Sequence, residues 1–187
     1  MSALIFVPSK SDHSKLFRIV AQTLSKKLYG SQASIYGVIV KKTGGPLDWS
    51  SIHLEGPRLK QKLKDGLKLS TFITISHGGP EDGPIMAHDP RSLQPWGSNL
   101  AKSALSTTGS SFWKFIGGKM QGKTGKIILA GCHMGELSYA RNVALVSGIK
   151  CYGYDGTFAA ADESTVLKHV GAIEQGKVIK PMKRFSP

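Results

Sequence analysis

Short apolar runs closed by glycine or proline recur along the chain. Ala3-Leu4-Ile5-Phe6-Val7 stops at Pro8 and predicts a buried strand. Leu16, Ile19, Val20, Leu24 and Leu28 follow at helical spacing. Asp12 and His13 read as helix-start residues, and Gly30 ends the pattern. Residues 34–40 predict a second strand, rich in β-branched and aromatic side chains, that breaks at Gly44-Gly45-Pro46. Leu59, Leu63 and Leu67 mark a short basic helix. Residues 70–76 form another strand of β-branched and aromatic residues, followed at once by His77-Gly78-Gly79-Pro80.

Residues 81–95 are turn-rich and read as a surface loop. Residues 98–116 have mixed character with helix in part. Lys126 to Ala130 predicts a buried strand ending in Gly131-Cys132-His133-Met134-Gly135. Leu137, Ala140, Val143, Ala144 and Val146 suit a helix closed by Gly148. Residues 149–154 predict a further strand, 166–170 a helix, and 177–179 a last short strand. Strands and helices therefore alternate, which predicts an α/β fold with a mostly parallel central sheet flanked by helices, a three-layer sandwich. The length of 187 residues suits one domain over 1–187, with enough chain for a sizeable core. No repeat or low-complexity tract divides it.

Charge adds one feature to this picture. Lys and Arg number 25 against 12 Asp and Glu, a net charge of +13. Such a surface attracts an anionic partner: nucleic acid, anionic lipid or an acidic protein. The charge is spread along the chain rather than massed in one motif, so a specific nucleic-acid role is the weaker reading. The two cysteines, Cys132 and Cys151, do not make a disulfide scaffold. The first residues lack a basic segment and a small-residue cleavage site, so no secretory leader is expected, and no apolar stretch is long enough to span a bilayer. The expected location is the cytoplasm, or another cell reached without a cleaved leader.

The candidate chemistry lies after two of the strands. In an open parallel sheet, ligands sit at the carboxyl ends of the strands. One apolar run there delivers His77 and another delivers Cys132. A thiol has a reference pKa of about 8.5, so a minority is thiolate at neutral pH. A nearby imidazole takes its proton or stabilises the thiolate, then protonates the leaving amine. Gly78 and Gly79 keep the space beside His77 open, and Gly131 permits a sharp turn before Cys132. The amides of Cys132 and of Gly78 or Gly79 suit a developing oxyanion. A helix starting near Gly135 would add its dipole if Cys132 stood at its N-terminal end.

This arrangement resembles the caspase-like cysteine peptidase superfamily, whose members include caspases, legumain, clostripain and gingipains. The matching pieces are Phe72-Ile73-Thr74-Ile75-Ser76-His77-Gly78 and Ile127-Ile128-Leu129-Ala130-Gly131-Cys132. The resemblance implies a catalytic His77, a nucleophilic Cys132, a Gly78 contribution to the oxyanion hole and helices on both faces of the sheet. It implies a protein or peptide substrate. Some relatives require calcium, but no Asp-rich loop is found here and no cofactor is expected. The region of Asp155 and Gly156 would help form the pocket for the residue before the cut. Asp155 or Asp82 would favour a basic residue there, and His133 would line the cleft. The form Gln-Ala-Cys found in caspases is replaced by Ala130-Gly131-Cys132.

Competing readings are weaker. His133 is adjacent to Cys132, and neighbouring side chains in a tight turn diverge. His88 and Asp89 fall in the polar loop, and His53 and His169 carry no motif. A metal site from His77, His133, Cys132 and Asp89 matches no strong spacing, and no metal is expected. Gly117-Gly118-Lys119-Met120 is not a phosphate loop, and the dinucleotide fingerprint is missing. Two other functions remain: a catalytically inactive caspase-like binding domain, and a basic nucleic-acid-binding protein whose affinity would fall steeply with salt.

Overall fold

A computed structural model describes residues 2–9, 13–40, 52–56, 59–63, 66–79, 83–85 and 107–187. The predicted strands at the start and middle of the chain form: β1 (Ala3–Pro8), β2 (Ala33–Val40), β4 (Thr71–Ile75), β7 (Lys126–Ala130) and β8 (Lys150–Tyr154). Four more are short: β3 (Ile52–Leu54), β5 (His77–Gly79), β6 (Gly83–Ile85) and β9 (Met182–Phe185). The helices are α1 (Ser14–Leu24), α2 (Leu59–Lys62), α3 (Thr107–Gly118), α4 (Tyr139–Ser147) and α5 (Glu163–Glu174).

The main sheet has seven strands in the order β3-β2-β1-β4-β7-β8-β9. Its five central strands run parallel, and β3 and β9 pair antiparallel at the two sides. The fold is thus α/β, with apolar clusters on both faces of the sheet. Alternation along each strand sends successive side chains to opposite faces. Phe6, Phe72, Leu129 and Cys151 meet Phe112, Trp113 and Ile116 of α3 and Val143 of α4 on one face. Ile5, Ile73, Ile128 and Tyr152 meet Phe17, Val20 and Leu24 of α1 and Val166 and Val170 of α5 on the other. Among the described residues, no helix is long and apolar enough to cross a membrane.

Three expectations need correction. The buried stripe of α1 is Phe17, Val20, Ala21 and Leu24, whereas Leu16 and Ile19 are 45% and 46% exposed. The stripe is shifted because Phe17, with the larger apolar surface, turns toward the sheet. The last strand is Met182–Phe185, not 177–179, where the chain is irregular before the turn at Ile179 to Met182. The helix expected at 166–170 runs from Glu163 to Glu174, because Asp162 caps it by accepting from the Ser164 N–H at 3.1 Å.

Glu174, at the end of α5, ties three elements together at the amino edge of the sheet. Tyr29 Oη and Thr71 Oγ1 donate to its Oε1 at 2.7 and 2.6 Å, and Lys126 Nζ meets Oε2 at 2.6 Å. The Glu174–Lys126 pair is mostly buried, with 10% and 19% of the side chains exposed. Burial, and then the Glu174 charge, push the Tyr29 phenol far above its ordinary value. Glu174→Ala leaves the ammonium and two hydroxyls without their shared acceptor. Urea unfolding is expected to show a loss of about 2–4 kcal/mol. Glu174→Gln, which still accepts from one hydroxyl, should lose less; equal losses would show that the retained hydrogen bond adds nothing and the ion pair with Lys126 carries the effect.

Candidate functional site

The strand order reverses at β1: β2 lies on one side of it, and β4, β7 and β8 follow on the other. Beyond the carboxyl ends at such a reversal, loops diverge and leave a crevice. The ends of β1, β4, β7 and β8 deliver His13, His77, Cys132 and Asp155 respectively to this edge.

Register places His77 beside Cys132 along the sheet. Ile75 pairs with Ala130 in the β4–β7 ladder. The Ser76 N–H extends that ladder by donating to the Ala130 carbonyl at 3.2 Å. His77 and Cys132 are each two residues beyond this last pair. Parity then gives them a common face: Ile73, Ile75, Ile128 and Ala130 all face α1 and α5. The contacts agree. The His77 ring packs edge-on against Phe17 of α1 at 5.1 Å, and Cys132 packs on the same cluster.

The two turns touch backbone to backbone. A Cβ on Gly78 would stand 2.7 Å from the Cys132 carbonyl oxygen and 3.3 Å from its nitrogen. A Cβ on Gly131 would stand 2.9 Å from the Ser76 carbonyl oxygen. Any side chain at either position would wedge the loops apart. Glycine is therefore needed here for close approach.

Each of the two side chains has a defined neighbour. Cys132 Sγ is half-buried and contacts the Phe158 backbone: the thiol donates to the carbonyl at 3.2 Å, and the Phe158 N–H points at the sulfur at 3.4 Å. His77 Nε2 lies 2.9 Å from His13 Nδ1, with the rings 4.9 Å apart and inclined at 60°. Cys151 differs on every count. It is fully buried near the start of its strand, on the opposite face with α3 and α4, and burial pushes its thiol well above the usual range.

The remaining predicted residues take up other contacts. His133 has a positive φ of 59°, uncommon for a residue with a side chain. Its N–H donates to the Gly156 carbonyl at 2.8 Å and its Nδ1 meets Glu136 Oε1 at 2.8 Å. Asp155 is held by Lys183 Nζ at 2.7 Å, and its N–H donates to the Pro181 carbonyl. Asp82, His88 and Asp89 lie outside the described residues. The helix after Cys132 starts only at Tyr139, beyond turns that begin at Gly131. Its dipole, which fades within the first turn, is not delivered by an N-terminal cysteine as expected. Among the described residues, no group of three His, Cys, Asp or Glu side chains is placed to hold a metal ion.

Three residues meet the candidate site without a sequence signal for it: His13, Phe158 and Lys183. His13 resembled an ordinary helix-start residue, and it is the first-turn flank of α1, with no side-chain cap. Its contact with His77 spans 64 residues of chain. Phe158 acts through its backbone, which leaves no mark in residue type.

No protein-family model matches this chain. Comparison with curated proteins and with solved structures gives no match either.

Proposed function

We propose that the chain is a caspase-like cysteine peptidase that cleaves peptide bonds through an acyl-enzyme on Cys132. The observation that carries this reading is the position of His77 and Cys132: equivalent places beyond two adjacent parallel strands, on one face of the sheet. In the reaction the thiol proton passes to the His77 imidazole and the sulfur attacks the carbonyl carbon. The C–N bond breaks as His77 returns that proton to the leaving amine. His77 then draws a proton from water, whose oxygen attacks the thioester; the acid departs and the sulfur regains a proton. The amides of Gly78 and Cys132 are assigned to the oxyanion, a reading supported by the close approach of those two backbones.

The substrate is a protein or peptide. His133 and Asp155 stand at the rim, each already engaged: His133 Nδ1 meets Glu136, and Asp155 pairs with Lys183. Lys183 therefore offsets the attraction that Asp155 alone would exert on a basic substrate side chain. The net charge of +13 favours a second reading, a catalytically silent scaffold that binds an anionic partner. Full biological activity in Cys132→Ala would favour that reading.

A thiol-reactive peptide ketone tests the proposal. Mass spectrometry is expected to find the probe on Cys132 at least about tenfold more often than on buried Cys151, with labelling lost in His77→Ala. Equal labelling of the two cysteines, unaffected by His77→Ala, would sink it.

A further inference from the structure

We infer that His13 is a positioning residue for His77, accepting a hydrogen bond from its Nε2–H and so presenting the opposite ring nitrogen, Nδ1, to Cys132. The inference rests on the His77–Cys132 dyad proposed above. The two rings meet through Nδ1 of His13 and Nε2 of His77 at 2.9 Å. A contact of that length between two ring nitrogens needs one donor and one acceptor. The hydrogen bond made by one nitrogen of an imidazole decides the role of the other. With the proton on His77 Nε2, its Nδ1 carries the lone pair that takes the thiol proton. The proton of neutral His13 then sits on its own Nε2.

The same geometry favours the ion pair that follows. When His77 accepts the thiol proton it becomes an imidazolium with two N–H groups. The Nε2–H donates to His13 Nδ1, and the new Nδ1–H is the one left to meet the thiolate. Hydrogen bonds to charged groups are stronger than neutral ones. His13 therefore stabilises the charged form of His77, and with it the thiolate. Phe17 supports the arrangement by packing edge-on against His77 at 5.1 Å and against His13 at 6.1 Å, which restricts rotation of both rings. The location also fits. His13 follows β1 and His77 follows β4, the two strands between which the sheet order reverses.

The test is the rate of Cys132 alkylation by iodoacetamide in the full chain at fixed neutral pH, read site by site by mass spectrometry. It needs no peptide substrate. His77→Ala is expected to slow alkylation by about tenfold or more, and His13→Ala or His13→Leu by about five- to tenfold. His13→Asn should return the rate to within about twofold of wild type, because the Asn Oδ1 takes the place of the ring Nδ1 as acceptor. Asn and Ala both lose the ring contact with Phe17, so a purely structural role would slow both equally. Cys151 reports folding, since it stays unlabelled only while buried.

His13→Ala alkylating at the wild-type rate, while His77→Ala is slow, overturns the role of His13 and leaves the dyad standing. His13→Asn as slow as His13→Ala also overturns it. An unchanged rate in His77→Ala removes the dyad, and the inference with it.

Discussion

Cys132→Ala and His77→Ala are each expected to lower peptide hydrolysis by about 10²-fold or more, with the fold intact. In the proposed reaction Cys132 supplies the atom that bonds to the substrate, so no other group replaces it. His77 is proposed to move the proton in both halves of that reaction, and water substitutes poorly for a held imidazole. Neither side chain fills a major share of the core: both are partly exposed at the sheet edge. Cys151→Ala and His133→Ala serve as controls and should cost little activity. Cys151 lies on the other face of the sheet, and His133 is turned toward Glu136. The measurement is kcat/KM on one cleaved peptide for all four variants, with circular dichroism to check folding. Loss of activity in Cys151→Ala beside an active Cys132→Ala would overturn the assignment.

Gly153→Ala and Gly135→Ala are expected to be among the most destabilising single-methyl changes in the chain. The turn after Cys132 lies directly on the end of β8. A Cβ on Gly135 would stand 2.6 Å from the Gly153 carbonyl oxygen. A Cβ on Gly153 would stand 2.9 Å from both the Met134 carbonyl carbon and oxygen. These obstacles are backbone atoms, so no rotamer change relieves them. The Gly135 N–H also donates to the Tyr154 carbonyl at 2.7 Å, and that bond must stretch if the strands part. Overpacking of this kind costs about 1–3 kcal/mol, and more where backbone must move. Thermal melts should therefore fall by about 4–10 °C. Gly118→Ala is the control: its Cβ meets nothing within 4 Å, at the end of α3. A Gly153→Ala melt matching wild type would show that the loop is not pinned to β8.

The central strands were legible because each is a short run rich in apolar, β-branched or aromatic residues, as parallel strands covered on both faces tend to be. The two strand ends bearing His77 and Cys132 were legible for the same reason, since a Gly turn follows each run immediately. The side strands were not. Met182-Lys183-Arg184-Phe185 buries only Met182 fully, so its composition reads as a polar tail. The orientation of α1 is not legible in the sequence because Leu16 and Ile19 are as apolar as the residues that face the sheet. His13 escaped notice because a lone histidine before a helix has a local explanation. Its partner was brought to it by the parallel pairing of β1 with β4, which no local pattern announces.

The short outer strands also bear on how molecules of this protein meet each other at high concentration. An exposed sheet margin invites a strand from a neighbouring molecule to add to it, the first step toward aggregation. The margin at β9 is only four residues long, and its two middle side chains, Lys183 and Arg184, are exposed cations. A second copy docking there edge to edge would bring like charges together across a new ladder. The same lysine that neutralises Asp155 thus helps keep the sheet from growing beyond its own chain.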